Sequence, residues 1–426
     1  KKCSDKPSLI ILKSIIGFSS PKQGTCDTHG APLGVDGVKE AKKTLGLPED
    51  KDFYVLPEAY EYFESKKAFW QKAEDDWNKE FDEWAKENPD LKKLWDAFYN
   101  DEQTASPEEI VFSDTDKMAT RDASGKVLNM MCQKYANIVG GSADLAGPNK
   151  TVLKDCGGIY SAQNRTGRTI EYGIREFAMS AVCSGIKLHG GLRPFCATFL
   201  VFADYLRAQM RVASLMKLPI IYVLSHDSIY VGEDGPTHQP VETLSSLRAI
   251  PNVQVLRPAD AQETLEAWKI AYESKDHPVC IVLTRQAVQG FSKADSNWKE
   301  NIRKSGAYIA LDCDGKPDIT VLATGSEVSM AIASASLVQG KKIRVLSVID
   351  YNKFDELSCE EQEKLFGGAQ RIVCCEAGIS ADWKQFATNK KTDLFCIDRF
   401  GESGPAQKVA EHLGFTQEKF AELLNQ

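Results

Sequence analysis

From about residue 129 onward, short continuous apolar runs alternate with longer segments in which apolar residues recur every three or four positions. The runs LRPFCATF (192–199), LPIIYVL (218–224), NVQVL (252–256) and HPVCIVLTR (277–285) lack the polar alternation of a half-exposed strand, so they predict strands buried on both faces. Between them, FADYLRAQMRVASLM (202–216) and AQETLEAWKIAYES (261–274) carry helical spacing. Strands alternating with helices predict a parallel sheet covered by helices. A polar, aperiodic stretch (SKADSNWKENIRKSG, 292–306) interrupts the series, and a second one follows with DITVLATGSEV, IRVLSVID, RIVCCEA and LFCIDRFGESG. The N-terminal part differs: a predicted strand SLIILKSII (8–16), a Gly/Pro-rich loop QGTCDTHGAPLG (23–34), then a helical segment rich in Glu, Lys, Trp and Phe. The pattern gives an α/β chain with expected divisions 1–56, 57–118 (a helical linker), 119–300 and 301–426.

Composition narrows the partners. With 60 acidic against 52 basic residues the net charge is −8, which argues against a polyanion-binding surface and hence against nucleic acid, while leaving room for a local basic pocket that takes one phosphate. No apolar run approaches the roughly 20 residues of a membrane span and no secretory leader is evident, so the expectation is a cytoplasmic protein with no membrane partner. The 12 cysteines are scattered without a CxxC pair, and Cys280, Cys374, Cys375 and Cys396 lie in apolar runs. Free buried thiols are expected, with no disulfide and no cysteine-held metal.

The candidate chemistry clusters beyond predicted strand ends. After LPIIYVL comes SHDS and then VGEDGPTHQP (231–240), which by itself is a polar surface turn. In open parallel sheets ligands bind beyond the carboxyl ends of strands, and there His226, Asp227, Asp234 and His238 emerge. Glu176 opens the helical pattern in EYGIREFAMSAV, where an acid also suits the helix dipole. Phe199, Phe202 and Tyr205 are spaced three apart, as in a core stripe. Arg285 follows a strand and Arg121 precedes a helix; taken alone, both are surface bases. TGSE (324–327) follows a strand and opens a helix whose amides are candidates for an anion, although the full phosphate-loop pattern is absent. His189, His277 and His412 read as structural or surface residues.

Taken in order, HGAPLG (29–34), GGSADL (140–145), YGIREFAM (172–179), TFLVFADY (198–205), HDSI with VGEDGPTHQP (226–240), TRQ (284–286) and TGSE resemble the transketolase family across nearly the whole chain. The resemblance implies a thiamine-enzyme fold, in which a parallel-sheet pyrimidine-binding domain precedes a C-terminal α/β domain. It implies transfer of a two-carbon ketol unit from a ketose phosphate to an aldose phosphate, with thiamine diphosphate as cofactor. By the same resemblance Glu176 is the sheltered acid that bonds the aminopyrimidine ring, Phe199, Phe202 and Tyr205 form the ring pocket, and Asp144 contacts the cofactor. His29 lies between diphosphate and substrate, where it relays protons. Arg121, His226 and Arg285 supply cations for the sugar phosphate, Asp234 accepts from a ketose hydroxyl, and His238 donates near the carbonyl.

Two positions depart from the family pattern. Pro148 stands where a phosphate-binding serine is usual, and Tyr230 stands where glycine is common, which implies a narrower or differently lined channel. No GDG sequence is present to hold the Mg or Ca ion of the diphosphate, so the metal ligands are expected outside this chain. Residues 1–56 are therefore expected to be the end of a diphosphate-binding domain. The remainder would come from a missing segment or an N-terminal thiamine-binding polypeptide, in a homodimer or heterotetramer. The competing expectation is a catalytically inactive sugar-phosphate-binding or regulatory chain that keeps the fold.

Overall fold

The computed structural model describes residues 8–426, and the chain divides after Pro89 into two compact units. In the first unit the expected strand at residues 8–16 is irregular, with Leu9, Ile10, Ile11 and Leu12 all exposed. Apolar, β-branched sequence favours a strand only where a neighbour accepts its ladder of backbone hydrogen bonds, and no described residue pairs with this segment. The rest of the unit is helical: Gly34–Thr44, then the 31-residue helix Pro57–Glu87. Pro57 suits the first helical position, where no amide hydrogen is needed, and Pro89 fixes the stop. Along the long helix Lys72 pairs with Asp76 (2.6 Å) and Trp77 stacks on Phe81 (5.2 Å), both at four-residue spacing.

The second unit holds the sheets. Its first seven strands are β1 (Lys117–Ala119), β2 (Ile138–Ser142), β3 (Arg193–Phe199), β4 (Ile221–Ser225), β5 (Gln254–Leu256), β6 (Val279–Leu283) and β7 (Ala287–Gln289). Five of them form a parallel sheet in the order β2-β3-β4-β6-β5, while β1 and β7 form a small antiparallel pair. The central strands are buried on both faces, as their unbroken apolar runs require. Phe195, Val223 and Ile281 pack with Val127, Leu128 and Trp268 from the helices Thr120–Lys134 and Ala261–Glu273. On the other face, Cys196, Tyr222, Leu224 and Cys280 meet Met179, Cys183, Leu206 and Met210 from the helices Glu176–His189 and Ala203–Leu215.

Strand β2 escapes a sequence reading because GGS breaks its apolar run. The structure explains the glycines: a Cβ at Gly140 would collide with Phe195 O, and one at Gly141 with Ile170 O. The second sheet contains β8 (Ala307–Leu311), β9 (Ile319–Ala323), β10 (Ile343–Val348), β11 (Arg371–Cys375) and β12 (Leu394–Phe395), in the order β12-β11-β9-β10-β8, with β8 the antiparallel edge. Val321, Val345 and Val373 join the same core as Phe195 and Ile281, so one apolar layer serves both sheets. The cysteines of the described residues are free thiols, with Cys280, Cys374 and Cys375 buried and Cys396 half-buried. No helix among the described residues is long and apolar enough to cross a membrane.

Candidate active site

Register brings Phe199, the last residue of β3, beside Ser225, the last of β4. The chain then turns sharply, because His226 adopts a left-handed conformation (φ 63°) that lays its ring over Phe199 at a centroid distance of 3.6 Å. A buried hydrogen-bond chain fixes the imidazole. Ser225 Oγ donates to Asn149 Oδ1 (2.7 Å) and so accepts from His226 Nδ1 (2.7 Å); Asn149 Nδ2 in turn donates to Ser142 Oγ (3.1 Å), which lies 2.7 Å from Thr151 Oγ1. That network assigns the proton to Nδ1 and leaves the Nε2 lone pair facing Arg121 Nη1 at 3.4 Å.

His226 was expected to be a third cation, and here the structure differs. Burial, followed by the charges of Arg121, Arg285 and His238, pushes its pKa down to about 3, so the ring is neutral at pH 7. The sign of the consequence is definite. A histidine whose folded pKa lies below its ordinary 6.5 contributes stability that is present above that value and lost as pH falls toward 3. Between about pH 7 and about pH 4.5, urea unfolding of the His226→Gln variant should lose less stability than the native chain, by on the order of 2 kcal/mol. Equal losses in the two proteins would remove His226 as the acid-sensitive group.

Arg121 and Arg285 are brought together by two threonines. Thr284 Oγ1 accepts from Thr120 N (3.0 Å), while Thr120 Oγ1 accepts from Thr284 N (2.8 Å), and both residues are buried. Each arginine is the next residue along. Arg121 Nη1 also donates to Pro148 O (3.0 Å), so a backbone carbonyl meets the guanidinium at the position where the family pattern has serine. Burial first, and the charge of Arg285 after it, disfavour the Arg121 cation, against the opposing pull of Asp122. Arg285 is exposed and has no hydrogen-bond or ion-pair partner among the described residues. Two guanidinium groups of this kind form a receptor for an anion.

An aromatic wall borders them. Phe202 lies parallel to Phe199 at 5.9 Å, Tyr205 follows at 6.1 Å, and the edge of His238 meets Phe202 at 5.2 Å. One face of Phe199 is taken by His226, while Phe202 is half-exposed and Tyr205 exposed. Glu176 is buried at the first position of its helix. The turn before it is set by Gly173 (φ 64°), over which Arg175 folds back to donate to Tyr172 O (3.0 Å). Asp234 is exposed, and Asp144 lies exposed in a left-handed turn (φ 60°) after β2. His29 belongs to the first unit, where it is exposed and its amide bonds Cys26 O (3.0 Å). Among the described residues no group of three or more His, Cys, Asp or Glu is arranged to hold a metal ion.

Two further expectations are corrected. TGSE does not present its amides to an anion. Glu327 binds the buried guanidinium of Arg257, which also donates to Thr324 O (2.9 Å) and to Asp227 Oδ2 (2.8 and 3.1 Å). Gly325 wraps so closely that its Cβ would lie 2.6 Å from the Arg257 Cζ. Tyr230 does not narrow a channel either: its hydroxyl reaches Phe415 O (3.4 Å) and its ring joins the apolar layer shared by the sheets. A glycine can be replaced there because the side chain has a core to enter. His277 and His412 bond Asp276 (2.8 Å) and Glu402 (2.6 Å), away from the site.

Guanidinium groups, a tautomer-locked imidazole, an open aromatic ring and a buried acid, set beyond the carboxyl ends of a parallel sheet, make this an α/β protein with a candidate site for an anionic ligand. Comparison with known proteins carries this further. The transketolase pyrimidine binding domain matches residues 116–290, the transketolase-like C-terminal domain residues 306–416, and the transketolase thiamine diphosphate binding domain residues 1–104. A transketolase of Treponema pallidum is 48% identical over 99% of this chain, which spans 64% of that relative's length. Among solved structures, a Pichia stipitis transketolase in complex with sedoheptulose 7-phosphate is similar with a TM-score of 0.87 at 34% identity, covering 96% of this chain and 61% of the other. A Campylobacter jejuni transketolase matches with a TM-score of 0.84 at 34% identity, covering 99% and 63%. The chain belongs to the transketolase family. All three domain families find a counterpart in it, and the chain spans less than two thirds of the length of these relatives.

Proposed function

We propose that this protein acts in the reversible transfer of a two-carbon ketol unit from a ketose phosphate to an aldose phosphate. The observation that carries the reading is the meeting of Arg121, Arg285 and neutral His226 beside the open ring of Phe202. Thiamine diphosphate, when bound, supplies the carbon nucleophile that takes up and releases the two-carbon unit. The residues fit its aminopyrimidine: Phe202 offers a flat apolar face, and Glu176 a sheltered carboxyl group to bond a ring nitrogen. Tyr205 and Phe199 flank the ring, and Asp144 adds a further cofactor contact in this reading. A diphosphate needs a divalent cation, and in this reading that cation is Mg or Ca.

The chain's own groups divide the remaining work. Arg121 and Arg285 hold the phosphate end of the sugar through forked, charge-assisted bonds. His226, with its proton held on Nδ1 by Ser225, offers Nε2 as an acceptor to a sugar hydroxyl. Asp234 accepts from a ketose hydroxyl, and His238 donates near the carbonyl oxygen as charge grows there. We assign the pyrimidine and phosphate sides to residues 119–300 and the C-terminal domain to 301–426, in a homodimer. Sugar phosphates are charged and do not cross membranes unaided, which favours a cytoplasmic site of action.

Adding thiamine diphosphate and magnesium should change the near-ultraviolet circular dichroism, and the loaded protein should then transfer two-carbon units between phosphorylated sugars. Sugar-phosphate binding without transfer would favour the inactive or regulatory alternative. Within the active protein, Arg285→Ala should raise KM for phosphorylated donors by roughly 10- to 100-fold, the size of a lost charge-assisted contact. KM for a small unphosphorylated donor should move little. Equal losses on both donors would make Arg285 a structural residue.

A further inference from the structure

The loop that carries Asp234 and His238 is set on the turn at residues 401–403, which follows β12 in the C-terminal half. Buried Gln239 donates through Nε2 to Gly232 O in its own loop (2.9 Å) and to Glu402 O in the turn (2.9 Å). Gly401 approaches so closely that a Cβ there would collide with Gln239 Oε1 and lie 3.4 Å from Ile229 Cγ2. Gly235 (φ 77°) faces Ser403, whose hydroxyl occupies the space a Cβ would take, and Gly232 (φ 84°) backs onto Ala406 N. Glu402 is itself anchored by Arg399 and His412, each at 2.6 Å. Three glycines are thus used where the loop meets the turn and its continuation, and no side chain fits at any of them without displacement.

The Asp234 side chain, by contrast, has no hydrogen-bond or ion-pair partner among the described residues, and the His238 ring has only Thr237 (2.9 Å) besides its aromatic neighbours. Their placement comes from the loop backbone, and the backbone takes its shape from the turn. We propose that Gly401 and Gln239 are positioning residues through which the C-terminal domain sets Asp234 and His238 for the sugar substrate. The proposal rests on the reading that these two residues meet a sugar phosphate, and it gives the C-terminal domain a part in substrate binding although it supplies none of the contacting side chains.

Gly401→Ala in the full chain should lower kcat/KM for a ketose phosphate by about 10- to 100-fold, mostly through KM, as expected when contacting groups are misplaced by about an ångström. Gly404→Ala is the control, since its Cβ would meet only Val409 Cγ2 at 3.6 Å. It should stay within about twofold of the native chain. An activity-independent readout is the His238 imidazole resonance, assigned with His238→Asn: its shift and titration should move in Gly401→Ala and not in Gly404→Ala. Gln239→Leu removes both donations at similar volume and should act in the same direction, which keeps the test decisive should Gly401→Ala fail to fold. A lowered melting temperature with KM and the His238 resonance unmoved would overturn the proposal. If the native chain transfers nothing at all, the proposed function fails, while the His238 resonance still decides this inference.

Discussion

Glu176→Gln should leave the fold and much of the cofactor affinity intact while lowering turnover by about 10²- to 10⁴-fold, the usual worth of a positioned acid–base group. The carboxyl lies buried at the start of its helix, and the turn before it is fixed by Gly173 and Arg175. Glutamine keeps the volume and a donor but has no acidic proton to share with the pyrimidine ring. Circular dichroism on cofactor titration should therefore look close to native while the transfer rate collapses. Near-native turnover would remove Glu176 from its assigned role. A parallel loss of cofactor affinity and of folded structure would instead make it a packing residue.

Arg257→Met should cost about 3–5 kcal/mol of stability, the scale seen when one partner of a buried ion pair is removed. Its guanidinium is buried with Asp227, Glu327 and Glu376, and the last of these is held in turn by Arg248 (2.8 Å), with Asp382 on the other side of Arg248 (2.9 Å). Burial raises the Glu327 carboxyl despite the neighbouring Arg257. Burial opposes the Glu376 carboxylate as well, but Arg248 and then Arg257 outweigh it and hold that group below its usual range. Removing this guanidinium therefore strands the carboxylates of Asp227 and Glu327 and takes one of two arginines from Glu376. Arg257→Lys should recover only part of the loss, because an ammonium cannot fork between Asp227 and Glu327. Urea unfolding at neutral pH measures both; a loss below about 1 kcal/mol for Arg257→Met would mean that water reaches the cluster and replaces the charge.

The parallel sheet and its helices were legible because burial on both faces imposes unbroken apolar runs, as in β4 and β6, and because helix faces impose their own period, as in Ala203–Leu215 and Ala261–Glu273. Strand β2 was not, since its glycines serve close backbone approach, and residues 8–16 misled because strand propensity does not supply a pairing partner. The candidate site was legible at His226, Asp234, His238, Arg285 and Glu176 through motif order. The groups that govern them were hidden. Asn149 meets Ser225 across 76 residues and through it holds His226, Thr120 meets Thr284 across 164, and Glu402 meets Gln239 across 163. Hydrogen bonds over such separations leave no local period or spacing. The adjacency of Ser225 to His226 was the one local sign available, and only the structure shows which way that hydroxyl donates.

The reciprocal bonds between Thr120 and Thr284 have a consequence for ionic strength. They join uncharged groups inside the protein, so dissolved salt does not weaken them, whereas the attraction that Arg121 and Arg285 exert on a distant anion is screened within about 8–10 Å at ordinary salt concentrations. Added electrolyte should therefore weaken the long-range pull on an anion while leaving the bonds between Thr120 and Thr284 as they are. Attraction at a distance and spacing at close range thus rest on different groups, and the spacing rests on two hydroxyl groups that carry no charge at all.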